Sequence, residues 1–205
     1  MNEENQIVKN KPFRNVGIGN LYYCFATDIE KLLFEKIINK APTLKTIGTT
    51  ENSNKEEVWA SNAVYDTDVS VSEISLSISV IAFSPLHRAR MKGHKVENGF
   101  IKKNLSDEGE YFAIGIVYPK KSGHFTYEWY PKCKLAEMTK DAQTKDSGGI
   151  NSQDKSLTIA VSAFNDAGDY SIEYDTELLE EGATILTEDE FFSVVRTEYP
   201  ITQGE

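Results

Sequence analysis

Positive charge is scarce in this chain of 205 residues, where 22 Lys and Arg stand against 32 Asp and Glu for a formal charge of −10. A protein that grips nucleic acid by neutralising phosphates needs clustered cations, so that class is excluded. Cysteine is nearly absent: Cys24 and Cys133 lie far apart, and neither has a second thiol nearby. Neither a disulfide framework nor a thiol-rich zinc site is expected. The three histidines, His87, His94 and His124, fit no zinc spacing. No metal and no cofactor are therefore expected. No apolar run reaches the length of a membrane span and no signal peptide is recognisable. The expectation is synthesis in a reducing cytoplasm and no membrane role. The patterns GxSxG, GxxxxGK[ST] and HExxH are missing, as are heptads and internal repeats. An enzyme is the least favoured class. A glycosidase needs only two carboxylates, and Asp66 and Asp68 in YDTD are the nearest pair, but aspartates in such a stretch ordinarily serve a turn.

Ten Tyr, ten Phe and many Val, Thr and Ser favour β structure. The most informative stretch is Val71 to Gly93, VSEISLSISVIAFSPLHRARMKG. Ile74, Leu76, Ile78, Val80 and Ala82 alternate with Glu73, Ser75, Ser77 and Ser79, the period of a strand with one buried and one wetted face. The wetted side carries small or acidic groups and no cation, a surface to which an anionic polymer would not adhere. At Phe83 the period breaks. Ser84 then offers a cap, Pro85 suits the first helical position and Gly93 suits the end, so a short basic helix follows. His87, Arg88 and Arg90 on it are a candidate anion site, although a charged helix face is more often simply solvated or part of an interface.

Residues Met1 to Asn15 form an N-terminal arm, with little apolar content up to Pro12. One β domain is expected over 16–199, and 200–205 is a tail. Val16 to Phe25 reads as a first strand. Thr27 to Asn39 places Ile29, Leu32, Leu33 and Ile37 near one helical stripe, so periodicity favours a helix there. Thr43 to Thr50 and Lys55 to Ala60 read as strands joined by a turn at Asn52 to Asn54. Ser61 to Asp68 reads as a reversal at the tip of a hairpin projecting near 50–70. Glu110 to Tyr118 and His124 to Lys134 form a second hairpin, broken or edged at Pro131. Ser156 to Phe164 is a core strand, and Asn165 to Gly168 is a turn. Thr187 with Glu190 makes a capping box, opening an amphipathic helix from Glu188 to about Glu198. Its Phe191, Phe192 and Val195 should dock on the sheet or on a neighbouring subunit. The fold class is mainly β, a sandwich or partly closed barrel with one or two short helices.

The stretches VGIGNLYYCFATD, EEVWASNAVYDTD, VSEISLSISVIAF with SPLHRARMKG, GEYFAIGIVYPKKSG, FTYEWYPKCKLAE and SLTIAVSAF occur in an order that resembles the major tail protein family of long-tailed, non-contractile phages of Gram-positive bacteria. The resemblance spans roughly Val16 to Phe164. It rests on order and spacing, since no single piece is diagnostic. It implies a structural virion protein: a tail tube subunit that closes into six-membered rings stacked around a tape measure protein and later conducts DNA during ejection. Tail terminator and distal tail proteins would cap the tube. It also implies that Glu73, Ser75, Ser77 and Ser79 face the lumen, and that Asn62, Tyr65, Asp66 and Asp68 make contacts between rings or subunits. Over Thr27 to Asn39 it implies an extended connection, leaving that segment open between helix and strand. The alternative is a carbohydrate-binding or Ig-like module in which Trp59, Tyr127, Trp129 and Tyr130 form a sugar-stacking face.

Overall fold

The computed structural model describes residues 13–60, 63–139, 154–179 and 183–198. The expected arm up to residue 12, Asn62 and the tail at 200–205 lie outside these. One antiparallel sheet dominates. Across it run β2 (Leu33–Phe34), β1 (Leu21–Asp28), β8 (Phe112–Pro119), β9 (Phe125–Met138), β10 (Lys155–Val161), β5 (Ala63–Val80) and β4 (Leu44–Ala60). Two further strands extend it: β3 (Asn39–Ala41) pairs with β1, and β11 (Ile172–Asp175) pairs with β9. A separate small hairpin joins β6 (Lys95–Glu97) to β7 (Phe100–Lys102). The helices are α1 (Pro85–Met91) and α2 (Glu188–Phe191). Among the described residues the architecture is thus mainly β with two short helices.

The period-two pattern of β5 sets the register of this sheet. Ile74, Leu76, Ile78 and Val80 are buried at no more than 7 % exposure, while Glu73 and Ser77 are exposed. Slipping β5 by one residue would put four large apolar side chains into water. At roughly 1.5–3 kcal/mol each, that is roughly 6–12 kcal/mol, comparable with the whole stability of a domain. Ala82, expected to continue the buried series, lies beyond the strand end and is exposed, and Phe83 turns inward instead.

The sheet curls. Ala41 at the end of β3 lies beside Leu21 on one flank, and Leu44 at the start of β4 lies beside Val80 on the other. Only Pro42 and Thr43 connect them, a span of at most about 11 Å at ~3.8 Å per Cα step. The two flanks therefore approach to within about two strand spacings, and the concave side closes over a core. Leu21, Tyr23 and Phe25 of β1 fill that core together with Phe112, Ile114 and Ile116 of β8, and with the inward residues of β5, β9 and β10.

Several local expectations change. Over Thr27 to Asn39 the helix that periodicity favours gives way to the extended course that the resemblance implies: β1 runs to Asp28, Leu32 takes a positive φ of 52°, and two short strands fold back on β1. The apolar stripe is overridden because Leu33 and Ile37 stay exposed, so a helix there would have buried little. The turn expected at Asn52 to Asn54 is a register shift within a continuous β4. Of the reversal expected over Ser61 to Asp68, residues 63–68 lie on β5, with Ala63 paired to Ala60, and 61–62 lie outside the described residues. Pro131 does not end β9. It falls where two residues of β9 oppose the single Ala113, a bulge that accommodates a residue with no N–H to give. On their far side, β9 residues Thr126–Trp129 pair with β11, and residues Cys133–Met138 pair with β10.

Both helix starts match their sequence signals. Ser84 caps α1 with Pro85 at the first position, and Gly93 just after it has φ 71° with the Glu108 carbonyl 2.1 Å from where a Cβ would stand. Thr187 and Glu190 form a complete capping box, but α2 is a single turn ending at Phe191 rather than a helix reaching Glu198. Phe191 and Phe192 nevertheless both pack on the convex face of the sheet, at 1 % and 3 % exposure. Phe192 stacks on Tyr22 at 4.1 Å and meets Trp129 edge-on at 5.2 Å. Both neighbours can be buried because the helix ends at Phe191, with Phe192 as its C-cap. Val195 packs partly buried against the same cluster.

Two measurements check this packing. Gly115 underlies Phe192, whose ring would lie 2.6 Å from an added Cβ. Gly115→Ala should cost about 1–3 kcal/mol in denaturant unfolding. Much of that cost should vanish in a Phe192→Ala background, itself destabilised by about 3–5 kcal/mol. On the concave side Glu128 directly opposes Glu173 in the ladder. Burial above all, and less so Glu173 and Glu51, raises the Glu128 carboxyl above its ordinary range, against hydrogen bonds from Tyr130 and Ser171. Ionisation therefore costs more in the fold than in the unfolded chain. Glu128→Gln should melt above wild type at pH 7 by the equivalent of roughly 0.2–1 kcal/mol. The gain should disappear as pH falls below the ordinary glutamate pKa of about 4.3, where both states are protonated.

Candidate assembly surface

The convex face of the sheet is covered over one half only. Under α2 lie Tyr22, Ala113, Val117, Tyr127 and Trp129, an aromatic layer sealed by Phe191 and Phe192. The segment is tied down at its start by Glu188, whose carboxylate accepts hydrogen bonds from Tyr22 at 2.6 Å and Asn20 at 2.7 Å and an ion pair from Lys40 at 3.0 Å. Burial works to raise that carboxyl, but these donors together hold it below its usual range. Burial and the bond to Glu188 push the Tyr22 hydroxyl up to about 12.

No described element covers the other half, formed by β4, β5 and β10. Glu73, Ser75, Ser77 and Ser79 run along its middle strand. Their ladder neighbours are Asn52, Thr50, Gly48 and Thr46 on β4, and Ala160, Thr158 and Ser156 on β10 beside the three serines. Three adjacent strands thus present almost nothing larger than threonine. The sequence pattern pointed to the β5 column only. The same alternation is present in TLKTIGTT and KSLTIAV, where the small residues again sit one apart. Charge enters only at the margins: Glu73 receives Asn52 at 3.5 Å, and on β9 Glu137 and Lys134 oppose Thr158 and Ala160. The Lys134 ammonium sits 5.0 Å over the Tyr111 ring. The surface is therefore smooth, polar and almost free of cations.

The outer edge of β4 has no strand partner among the described residues. Beyond Ile74, the last β5 residue paired with β10, strands β4 and β5 pair only with each other and continue as a two-stranded ribbon. Tyr65, Asp66 and Asp68, expected in a turn, lie on β5 in that ribbon, with Asp66 opposite Val58 and Asp68 opposite Glu56. Asn62 is outside the described residues. The ribbon residues and the Ser75–Ser79 column thus belong to one strand.

Other candidates dissolve. Three of the four residues of the sugar-stacking face are not together on a surface, because Tyr127 and Trp129 are sealed beneath α2 while Tyr130 points into the opposite core, and the Trp59 side chain lies outside the described residues. His87 Nδ1 lies 2.6 Å from the Tyr23 hydroxyl. The Arg90 guanidinium sits 3.9 Å over Phe25 and donates to Glu35 at 2.8 Å and to Glu110. Both residues thus clamp α1 to the sheet, and only Arg88 of the expected anion site has no such partner among the described residues. Both cysteines are buried, and burial pushes the Cys24 thiol up to about 11.

No protein-family model and no curated protein matches the chain. Among solved structures it is similar to the tube-terminating cap of the anti-feeding prophage, at 8 % identity and TM-score 0.46 over 84 % of this chain and 97 % of that one. A chain of the anti-feeding prophage baseplate gives 9 % identity and TM-score 0.46, over 83 % and 100 % of the two chains. One from the extended sheath-tube complex of an extracellular contractile injection system gives 9 % and 0.36, over 76 % and 88 %.

Lysine at the face should be structurally harmless, because Ser77 is exposed and lies between Gly48 and Thr158. Ser75→Lys with Ser77→Lys should leave the melting temperature within the equivalent of about 0.5 kcal/mol of wild type. It should also confer salt-sensitive retention on immobilised single-stranded DNA that the wild-type protein lacks, measured by elution against ionic strength.

Proposed function

We propose that this chain is a structural subunit of a phage-type tail tube, assembling with copies of itself into closed rings that stack into a conduit. The observation that carries this reading is the convex half of β4, β5 and β10, which no described residue covers: an apolar core backs it, it presents small side chains with the acid Glu73 at its margin, and it lies next to a strand edge without a partner among the described residues. A lone subunit with a long free edge invites pairing with another chain, and a ring satisfies that edge without open-ended aggregation. A wall nearly free of cations suits a channel through which DNA must slide, because phosphates find nothing to hold them. In this reading Glu73, Ser75, Ser77 and Ser79 line the lumen, while Tyr65, Asp66, Asp68 and Asn62 reach a neighbouring subunit. The Phe191–Phe192–Val195 segment closes the remaining sheet face. The ring would be six-membered and surround a tape measure protein. Tail terminator and distal tail proteins would cap the tube. The protein would reside in the virion after synthesis in the host cytoplasm, with no cofactor and no catalytic role.

The test is assembly. Purified protein, concentrated stepwise and followed by sedimentation velocity and negative-stain microscopy, should pass from monomer to rings or hollow tubes of uniform width. A species that remains monomeric, or that forms only irregular aggregates, would refute the proposal.

A further inference from the structure

The chain carries two segments of opposite charge. The β4–β5 ribbon over residues 51–73 has six acidic residues, Glu51, Glu56, Glu57, Asp66, Asp68 and Glu73, against the one cation Lys55. From Ile74 to Ala63 it runs about 35 Å past its last three-stranded register, at ~3.3 Å per residue. A two-stranded ribbon of that length is marginal in water by itself and needs a surface to lie on. Its tip sequence, VWA before the reversal and AVY after it, is apolar and flanked on both sides by the acids.

The complementary surface is the unit formed by α1 and the β6–β7 hairpin. Over residues 85–103 the cations Arg88, Arg90, Lys92, Lys95, Lys102 and Lys103 face the single acid Glu97, in a chain whose overall charge is −10. Between α1 and the hairpin is a cavity of about 170 Å³ with an apolar floor that includes Ile101 and Met138, rimmed by Arg88, Lys92, His94 and Lys103. Lys92 is engaged by the Ala136 carbonyl at 2.8 Å and His94 by Asp107 at 2.9 Å. Arg88 and Lys103 have no acidic partner among the described residues. Phe100, 80 % exposed, projects from the same hairpin.

We propose that this socket receives the ribbon tip of a second copy of the chain, the apolar tip residues covering its floor and the flanking acids meeting Arg88 and Lys103 at its rim. The contact is heterologous, joining two different surfaces, so it propagates from copy to copy. It rests on the tube reading and specifies which surface of the next subunit the ribbon engages.

Charge reversal on each side, then on both, tests the pairing. Asp66→Lys with Asp68→Lys, and separately Arg88→Glu with Lys103→Glu, should each leave a folded monomer by circular dichroism. Each should raise the protein concentration at which assemblies appear by about tenfold or more, the size expected for close interfacial charge pairs. Mixing the two variants, or combining all four substitutions in one chain, should restore assembly toward wild type. Wild-type assembly untouched by either reversal would overturn this inference while leaving the tube reading standing. So would loss without rescue in the combined chain. A socket reversal that lowers the melting temperature of the monomer without altering assembly would assign the socket to the chain's own acidic residues, and equally overturn it. Wild-type protein that never assembles would overturn both.

Discussion

A strand in a sheet has two faces, and the alternation in β5 commits them to opposite environments. Burial of Ile74, Leu76, Ile78 and Val80 on the concave side forces Glu73, Ser75, Ser77 and Ser79 to the convex side, and a one-residue slip costs on the order of the domain's whole stability. Everything around β5 follows that choice. Strands β4 and β10 pair with it in register, so their own small residues arrive on the same face as the serines. The curl that encloses the core leaves this face pointing outward and the edge of β4 without a partner within the described subunit. The concave side is thus filled by the chain itself, whereas among the described residues the convex side is covered only where Phe191 and Phe192 reach it.

The charge distribution runs in the same direction. An excess of carboxylates keeps the chain soluble and repels like copies at long range, but over about 8 Å at physiological ionic strength local pairs decide contacts. Acids predominate along the ribbon and cations along the α1–β6–β7 unit, while the smooth face itself carries almost no cation. Arg90 shows the contrast within one helix: held between Glu35 and Glu110, it secures α1 in place, while Arg88 stands at the socket rim.

Elements governed by local rules are legible in the amino-acid sequence alone. The β5 alternation as far as Val80, the Ser84–Pro85 start of α1 and the Thr187–Glu190 box each depend on neighbours a few residues away, and each is present. Thr27 to Asn39 misleads because a helical stripe gains nothing unless something covers it, and Leu33 and Ile37 are left exposed. The stretch Asn52 to Asn54 misleads because polar residues also suit an edge strand wetted on its outer side. Of the candidate surface, one column of four residues is visible in the sequence. The flanking columns in β4 and β10 become meaningful only once the register sets Gly48 and Thr158 on either side of Ser77. The socket is invisible there, since its lining draws on α1, on the β6–β7 hairpin with Lys103, and on Met138 of β9, stretches that only the fold brings together.

The central claim is that the free edge of β4 is completed by another copy of the chain. Amide hydrogen exchange compares this most directly in monomeric and concentrated samples of the same protein. Backbone N–H groups of β4 that point away from β5 should exchange rapidly in the monomer. Alternate amides over Leu44 to Asn52 should become strongly protected on assembly, while those already bonded to β5 change little. Equal exchange of the outward amides in both samples would contradict the account.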